Sequence, residues 1–220
     1  MFNIVRFLLL LSIYSCAHAK QDNLQVYKNP FYVGALGGYG ATTWAGLVPS
    51  EQNLNLALSI STPVQAQEGG GVWGVFFGWE FFPTFAVEAS YVRYPDATIT
   101  FDEMSMFSFM NDNQTSFVSR TQTASIIAKV MLLIPNSSFR LYSSAGAAEV
   151  FRDDMLLSES RVSPTFGGGI NYHLTDKFML EVVGNYTAGF GESQLNPADT
   201  YFPFLYSVTA RLALCFGSKV

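Results

Sequence analysis

The chemistry available to this 220-residue chain is sparse: two histidines, two cysteines, 12 basic and 17 acidic residues. His173, in Asn171-Tyr172-His173-Leu174-Thr175-Asp176, is the only histidine beyond residue 19. Histidine is the commonest base for activating a hydroxyl or a water. No serine follows it and a short polar turn does, so it reads as a turn residue with an amphipathic ring. Asp153, Asp154, Glu159 and Arg161 offer hard oxygen ligands suited to Ca²⁺ or Mg²⁺, but the glycine and spacing of an EF-hand loop are missing, and a solvated acidic loop is expected. The runs Gly69-Gly70-Gly71 and Gly167-Gly168-Gly169 lack the Lys-Ser or Lys-Thr of a phosphate loop and fit strand bends or close packing. Cys215 has no nearby histidine or second cysteine. No catalytic residue, cofactor or metal site is expected, and the chain does not read as an enzyme.

What remains is a set of charges on one alternating face: Glu80, Glu88, Lys129, Glu181 and Arg211, with Arg140 a possible sixth. The alternation is clearest at 206–216, where Tyr206, Val208, Ala210, Leu212, Leu214 and Phe216 oppose Ser207, Thr209, Arg211, Ala213 and Cys215. Period two is the signature of a strand, with successive side chains on opposite faces. The same reading gives eight strands, at about 30–42, 71–82, 85–94, 118–134, 139–150, 161–174, 178–190 and 205–216. Pro83-Thr84, Pro135-Asn136-Ser137-Ser138 and Thr175-Asp176-Lys177 are tight turns. Long polar connections span about 43–70, 95–117, 151–160 and 191–204.

Short and long connections therefore segregate to opposite ends, as they do in membrane barrels and have no reason to do in a soluble sandwich. Composition agrees. Apolar residues make up 49% and charged residues 13%, against roughly a quarter charged in a soluble domain. No run approaches the ~18 apolar residues of a spanning helix. Aromatics sit at both strand ends, with Trp79, Tyr172 and Phe216 near the short turns and Tyr39, Trp44, Tyr91 and Tyr206 near the long connections. Tyr and Trp favour a membrane interface because an apolar ring carries a polar tip. The expected fold is all-β, an eight-stranded antiparallel up-and-down transmembrane barrel, with the greasy face outward.

Residues 1–19 carry Arg6, the run Phe7-Leu8-Leu9-Leu10-Leu11-Ser12-Ile13 and a small-x-small end at Ala17-His18-Ala19, which reads as a signal peptide. Residues 20–220 are then the barrel domain. Lipidation at Cys16 is a second exported form. Cleavage after Ala19 leaves 11 basic against 17 acidic residues, a balance that excludes nucleic acid as a partner. Cys215 would then be the single cysteine, so stability has to come from the fold and not from a disulfide.

The leader followed by Asn29-Pro30-Phe31-Tyr32-Val33-Gly34-Ala35-Leu36-Gly37-Gly38-Tyr39-Gly40 resembles the start of the eight-stranded outer-membrane barrels related to OmpA, OmpX and OmpW of Gram-negative bacteria. The likeness runs over the whole mature chain but rests on patterns. It implies a monomer in the bacterial outer membrane, both termini periplasmic, in contact with outer-membrane lipid and lipopolysaccharide. It also implies insertion by the barrel-assembly machinery, which reads a terminal aromatic; Phe216 is here displaced by four residues. Only the barrel part of the OmpA likeness carries over, and His173 lacks the serine that outer-membrane lipid A deacylases place after their histidine.

With eight strands the interior is about wide enough for side chains to fill it. Counted from the nearest short turn or periplasmic end, Glu88, Lys129, Glu181 and Arg211 lie at comparable depth. They are expected to pair as Glu88 with Lys129 and Glu181 with Arg211, because an unpaired buried charge is very costly. By resemblance such a layer is a plug or a gate. Leu36 and Phe76 also point inward, which leaves open a narrow, OmpW-like channel for small or apolar solutes; a soluble exported ligand-binding barrel is a third possibility. The expected role is structural or surface-interacting, through the long loops. Met104-Ser105-Met106-Phe107-Ser108-Phe109-Met110 is unusually apolar for a loop and is expected to contact lipid or a partner.

Overall fold

The computed structural model describes residues 29–48, 60, 62–135, 137–191 and 201–217; the leader, Cys16 and the cleavage site lie outside them. Eight long strands form the wall: β1 (Phe31–Thr42), β3 (Gly70–Phe82), β4 (Phe85–Arg93), β6 (Ser116–Leu133), β7 (Phe139–Asp153), β8 (Ser158–His173), β9 (Phe178–Thr187) and β10 (Leu205–Phe216). Two short strands, β2 (Gln65–Gln67) and β5 (Ala97–Thr100), and a five-residue helix α1 (Met106–Met110) lie in the long connections. Each wall strand pairs antiparallel with the wall strands before and after it, and β1 pairs with β10, so the eight-stranded wall closes on itself; β5 and β2 extend the upper end of β6.

The register sets the shape. Followed strand to strand from Phe31 through Trp79, Val87, Ala128, Ala145, Phe166, Tyr186 and Tyr206, it returns to β1 at Ala41, ten residues further on. A stagger of that size on eight strands means a tilt of about 40° and an interior filled by side chains.

Burial alternates along most of the wall, most strictly in β3, β7 and β10, and large apolar side chains are exposed on it: Val33, Val75, Phe77, Ile126, Val130, Leu132, Val182, Leu212 and Leu214 face out. Charged and hydroxyl side chains are buried in their place. A soluble barrel does the reverse, so the outward band is a lipid-facing one. Phe31, Trp79, Phe85, Phe139, Tyr172, Phe178 and Phe216 form one outward belt at the short-turn end; Tyr39, Trp73, Tyr91, Phe166, Tyr186 and Tyr206 form another near the long connections. The belts stand about seven residues apart along a strand, or roughly 18 Å along the axis at ~3.3 Å per residue and this tilt.

Two expectations are corrected. Residues 151–160 are not a long loop: β7 and β8 run on as a paired hairpin to Asp153 and Ser158, leaving only Asp154–Leu157 between them. Asp153 and Glu159 are thus strand residues, and Asp154 is taken up by Arg152. Second, His173 is not a turn residue at an interface. It ends β8 with its side chain buried on the inner face, Nε2 3.4 Å from Arg140 Nη2. Among the described residues no cluster of His, Cys, Asp or Glu could hold a metal.

Candidate functional site: a doubly closed lumen

The centre of the lumen is a ring of four charges. Glu88 comes from β4, Lys129 from β6, Glu181 from β9 and Arg211 from β10. Carried round the register, they reach within about one residue of a common level, midway between the aromatic belts. Lys129 Nζ lies 2.7 Å from Glu88 Oε2 and 2.8 Å from Glu181 Oε1. Arg211 Nη2 lies 2.6 Å from Glu88 Oε1, and its Nη1 3.0 Å from Glu181 Oε2. Both expected neighbour pairs are present, and each cation also reaches the carboxylate across the lumen. The ring is neutral and every member is buried, the condition under which buried charge is tolerable.

Aromatic side chains complete this layer: Phe76, already expected on the inner face, and Tyr32 and Tyr142, which the sequence reading did not assign. The Tyr32 hydroxyl donates to Glu88 Oε2 at 3.1 Å. Lys129 Nζ stands 4.6 Å from the centre of the Tyr142 ring, and the Arg211 guanidinium 3.7 Å from that of Phe76; each cation is attracted to the negative face of its ring. Tyr32 has room because its neighbour across the sheet is Gly78: a Cβ there would overlap the Tyr32 ring. The available signal was the parity of Tyr32 and Tyr142, which shares the inward face with the charges.

Glu80 and Arg140 stand apart from the ring, at the short-turn end. Arg140 grips Glu80 through two nitrogens, at 2.7 Å and 3.0 Å, and its Nε donates to Asn171 Oδ1 at 3.0 Å. The charges expected on the inner face therefore sort into a central ring of four and a lower pair. Cys215 is free and buried on the same inner face.

A second closure lies at the other end. A 3₁₀ turn, Trp44–Leu47, follows β1 and lays Trp44 over the mouth, edge-on to Tyr201 at 5.1 Å and Phe117 at 5.8 Å. The Arg152 guanidinium stacks 4.8 Å from the Trp44 ring centre, pairs with Asp154 Oδ2 at 2.6 Å and donates to the Tyr201 carbonyl. Ala97, Ile99, Phe101 and Phe107 pack against Trp44, Phe117 and Tyr201 as one buried cluster. The turn is held by Glu68, whose Oε2 accepts from the Ala45 N–H at 3.2 Å. Burial pushes the Glu68 carboxyl above its ordinary range, while the Ala45 and Trp44 N–H groups and Thr42 pull it back.

Between ring and lid remains a cavity of about 30 Å³, lined mostly by hydroxyls and an amide, among them Ser90, Ser125, Thr165, Thr187, Thr209 and Asn185. At ~10–15 Å³ per water, that is room for about two waters. Leu36, Val92, Ile127 and Ala148 are its apolar members, and Val72, Tyr94, Val150 and Leu205 are buried with Leu36 in one cluster, so the upper lumen mixes hydroxyl and apolar side chains and is not a wholly apolar conduit.

Of the aromatics expected at the interfaces, Trp79, Tyr172 and Phe216 lie on the outer face in the lower belt and Tyr39, Tyr91 and Tyr206 in the upper, while Trp44 is turned inward into the lid. No curated protein matches the chain. Solved outer-membrane proteins share its fold. OprG from Pseudomonas aeruginosa is 13% identical over 87% of this chain and 99% of its own, with a TM-score of 0.52. Neisserial surface protein A is 14% identical over 84% and 97%, at 0.52. AlkL, determined in lipid bilayers, is 14% identical over 92% and 99%, at 0.50. A family model described as an outer membrane protein beta-barrel domain matches residues 7–205. Closed meander, greasy exterior, paired charges within and a match over most of the chain agree: this protein belongs to the outer membrane protein beta-barrel domain family.

Proposed function

We propose that this barrel has a structural or surface-interaction role exercised through its long connections, and that it is not an enzyme. The observation that carries the reading is the double closure: the ion ring fills the lumen at mid-height and the Trp44 lid covers its mouth, so the chemistry left facing solvent lies in the connections. On this reading residues 1–19 are an export leader, and an even strand number leaves both termini in the periplasm with the long connections outside. The chain is a monomer whose outer face meets outer-membrane lipid and lipopolysaccharide, with the last strand, ending at Phe216, presented to the barrel-assembly machinery.

A narrow, OmpW-like channel is the second reading, favoured by the cavity between ring and lid; its hydroxyl lining suits small polar solutes. Single-channel recording of the refolded chain in planar bilayers, beside Lys129→Ala, separates the two. Stable insertion without conductance in either protein supports the filled barrel. Wild-type openings altered by the substitution support the channel, and solubility without detergent would sink both.

A further inference from the structure

The connection between β5 and β6 ends in a fastened apolar tip. Phe107 of α1 stacks on Phe101 at 4.3 Å and packs on Phe117 at 5.5 Å, inside the lid cluster. Ser105 Oγ accepts from the Ser108 N–H at 3.2 Å, Ser108 Oγ donates to the Asp102 carbonyl at 2.9 Å, and the Met106 N–H donates to the Ile60 carbonyl at 2.7 Å. With that side pinned, the other is held outward: Met104, Phe109 and Met110 are 77%, 82% and 71% exposed, with Met106 and Ile60 beside them. Apolar side chains held in one geometry form a preorganised contact surface, and methionine adapts to varied partners.

Charge narrows the partner. By sequence, residues 43–70, 94–119 and 188–204 hold eight Asp or Glu and no Lys or Arg; of the eight, Asp96 is paired with Arg93 and Arg120 at the adjoining strand ends. Asp102, Glu103 and Asp112 flank the tip and are exposed. An anionic phosphate layer is repelled by such a rim, as is a second copy presenting the same rim, whereas a cationic surface is drawn in.

We infer that the Met104–Met110 tip docks a cationic amphipathic protein or peptide, one whose apolar face is bordered by Lys or Arg. This rests on the loop-borne role proposed above and names the partner's chemistry. The full chain in phosphocholine nanodiscs is titrated with a labelled amphipathic Leu–Lys helical peptide, with empty discs as baseline, against a scrambled Leu–Lys peptide and a Leu–Glu counterpart. The Leu–Lys helix is expected to bind the protein above baseline. Phe109→Ser with Met110→Ser should weaken binding tenfold or more. Asp102→Asn, Glu103→Gln and Asp112→Asn together should weaken it and flatten its salt dependence; Asn at 102 keeps the oxygen that accepts from Met104 N–H. Equal binding of the scrambled or Leu–Glu peptide, or no effect of the Phe109 and Met110 changes, overturns the inference. So does tip-dependent docking of added phosphocholine vesicles or of the protein to itself. A failed titration with silent bilayers removes only the cationic partner, whereas wild-type conductance removes the loop-borne role itself.

Discussion

Glu88 and Glu181 stand on diametrically opposed strands, β4 and β9, and are joined through the same two cations. Lys129 and Arg211 occupy the other opposed pair, β6 and β10, so charge alternates round a closed circuit. Neighbouring partners tie adjacent strands, and the cross-lumen contacts tie the two halves of the wall.

Removing one member strands a charge. Lys129→Met leaves two buried carboxylates facing one guanidinium, and the folded barrel should lose about 3–5 kcal/mol, measured by urea-dependent unfolding in lipid vesicles. Combining it with Glu181→Gln should cost less than the sum of the single changes, because the second removes the charge the first leaves unpaired. Additive losses would show that the ring does not act as a unit.

Gly78→Ala tests how the layer is positioned. The new methyl overlaps the Tyr32 ring, so Tyr32 must leave Glu88 or the strands must shift, a strain of about 1–3 kcal/mol. Tyr32→Phe in the same background should recover little, since the clash is with the ring and not with the hydroxyl.

Arg152→Ala should loosen the lid while leaving the wall intact. It removes the stack on Trp44, the pair with Asp154 and the bond to the Tyr201 carbonyl. Thermolysin should cleave the long connections at least about tenfold faster, following the equilibrium of local opening, and urea unfolding of the strands should change little.

The lid should tighten on acidification. Burial raises the Glu68 carboxyl above its ordinary range in the closed state, so closure binds a proton more readily than opening does. Its stabilisation is complete below the ordinary carboxylate pKa and is lost as pH rises through the raised value. In a chain with Trp73→Phe and Trp79→Phe, acrylamide quenching of Trp44 should fall as pH falls from 7 to 4. Glu68→Gln should flatten that dependence; greater quenching in acid would contradict it.

Much of the wall was legible in sequence because lipid on one side and a polar interior on the other force strict alternation: the eight strands inferred from period two match the wall strands to within a few residues at most ends. The lid was not legible. β2, β5 and α1 have three, four and five residues, too few for a period to show, and Trp44 reads as one more interfacial aromatic until the turn folds it inward. The β7–β8 hairpin reads short because beyond the membrane the outer face meets water and not lipid. Asp153 and Ser158 are polar and exposed while Arg152 is polar and buried under the lid, so apolar and polar residues no longer alternate.

By itself the sequence determined that Glu80, Glu88, Lys129, Arg140, Glu181 and Arg211 share the inner face, since parity within a strand needs no knowledge of its neighbours. Counting along each strand also put Glu88, Lys129, Glu181 and Arg211 at comparable depth. Only the tertiary structure decided that the two expected pairs close into one circuit across the lumen while Glu80 and Arg140 pair below it. The ten-residue stagger sets the height of each strand against the one opposite, and it exists only once β1 has closed on β10.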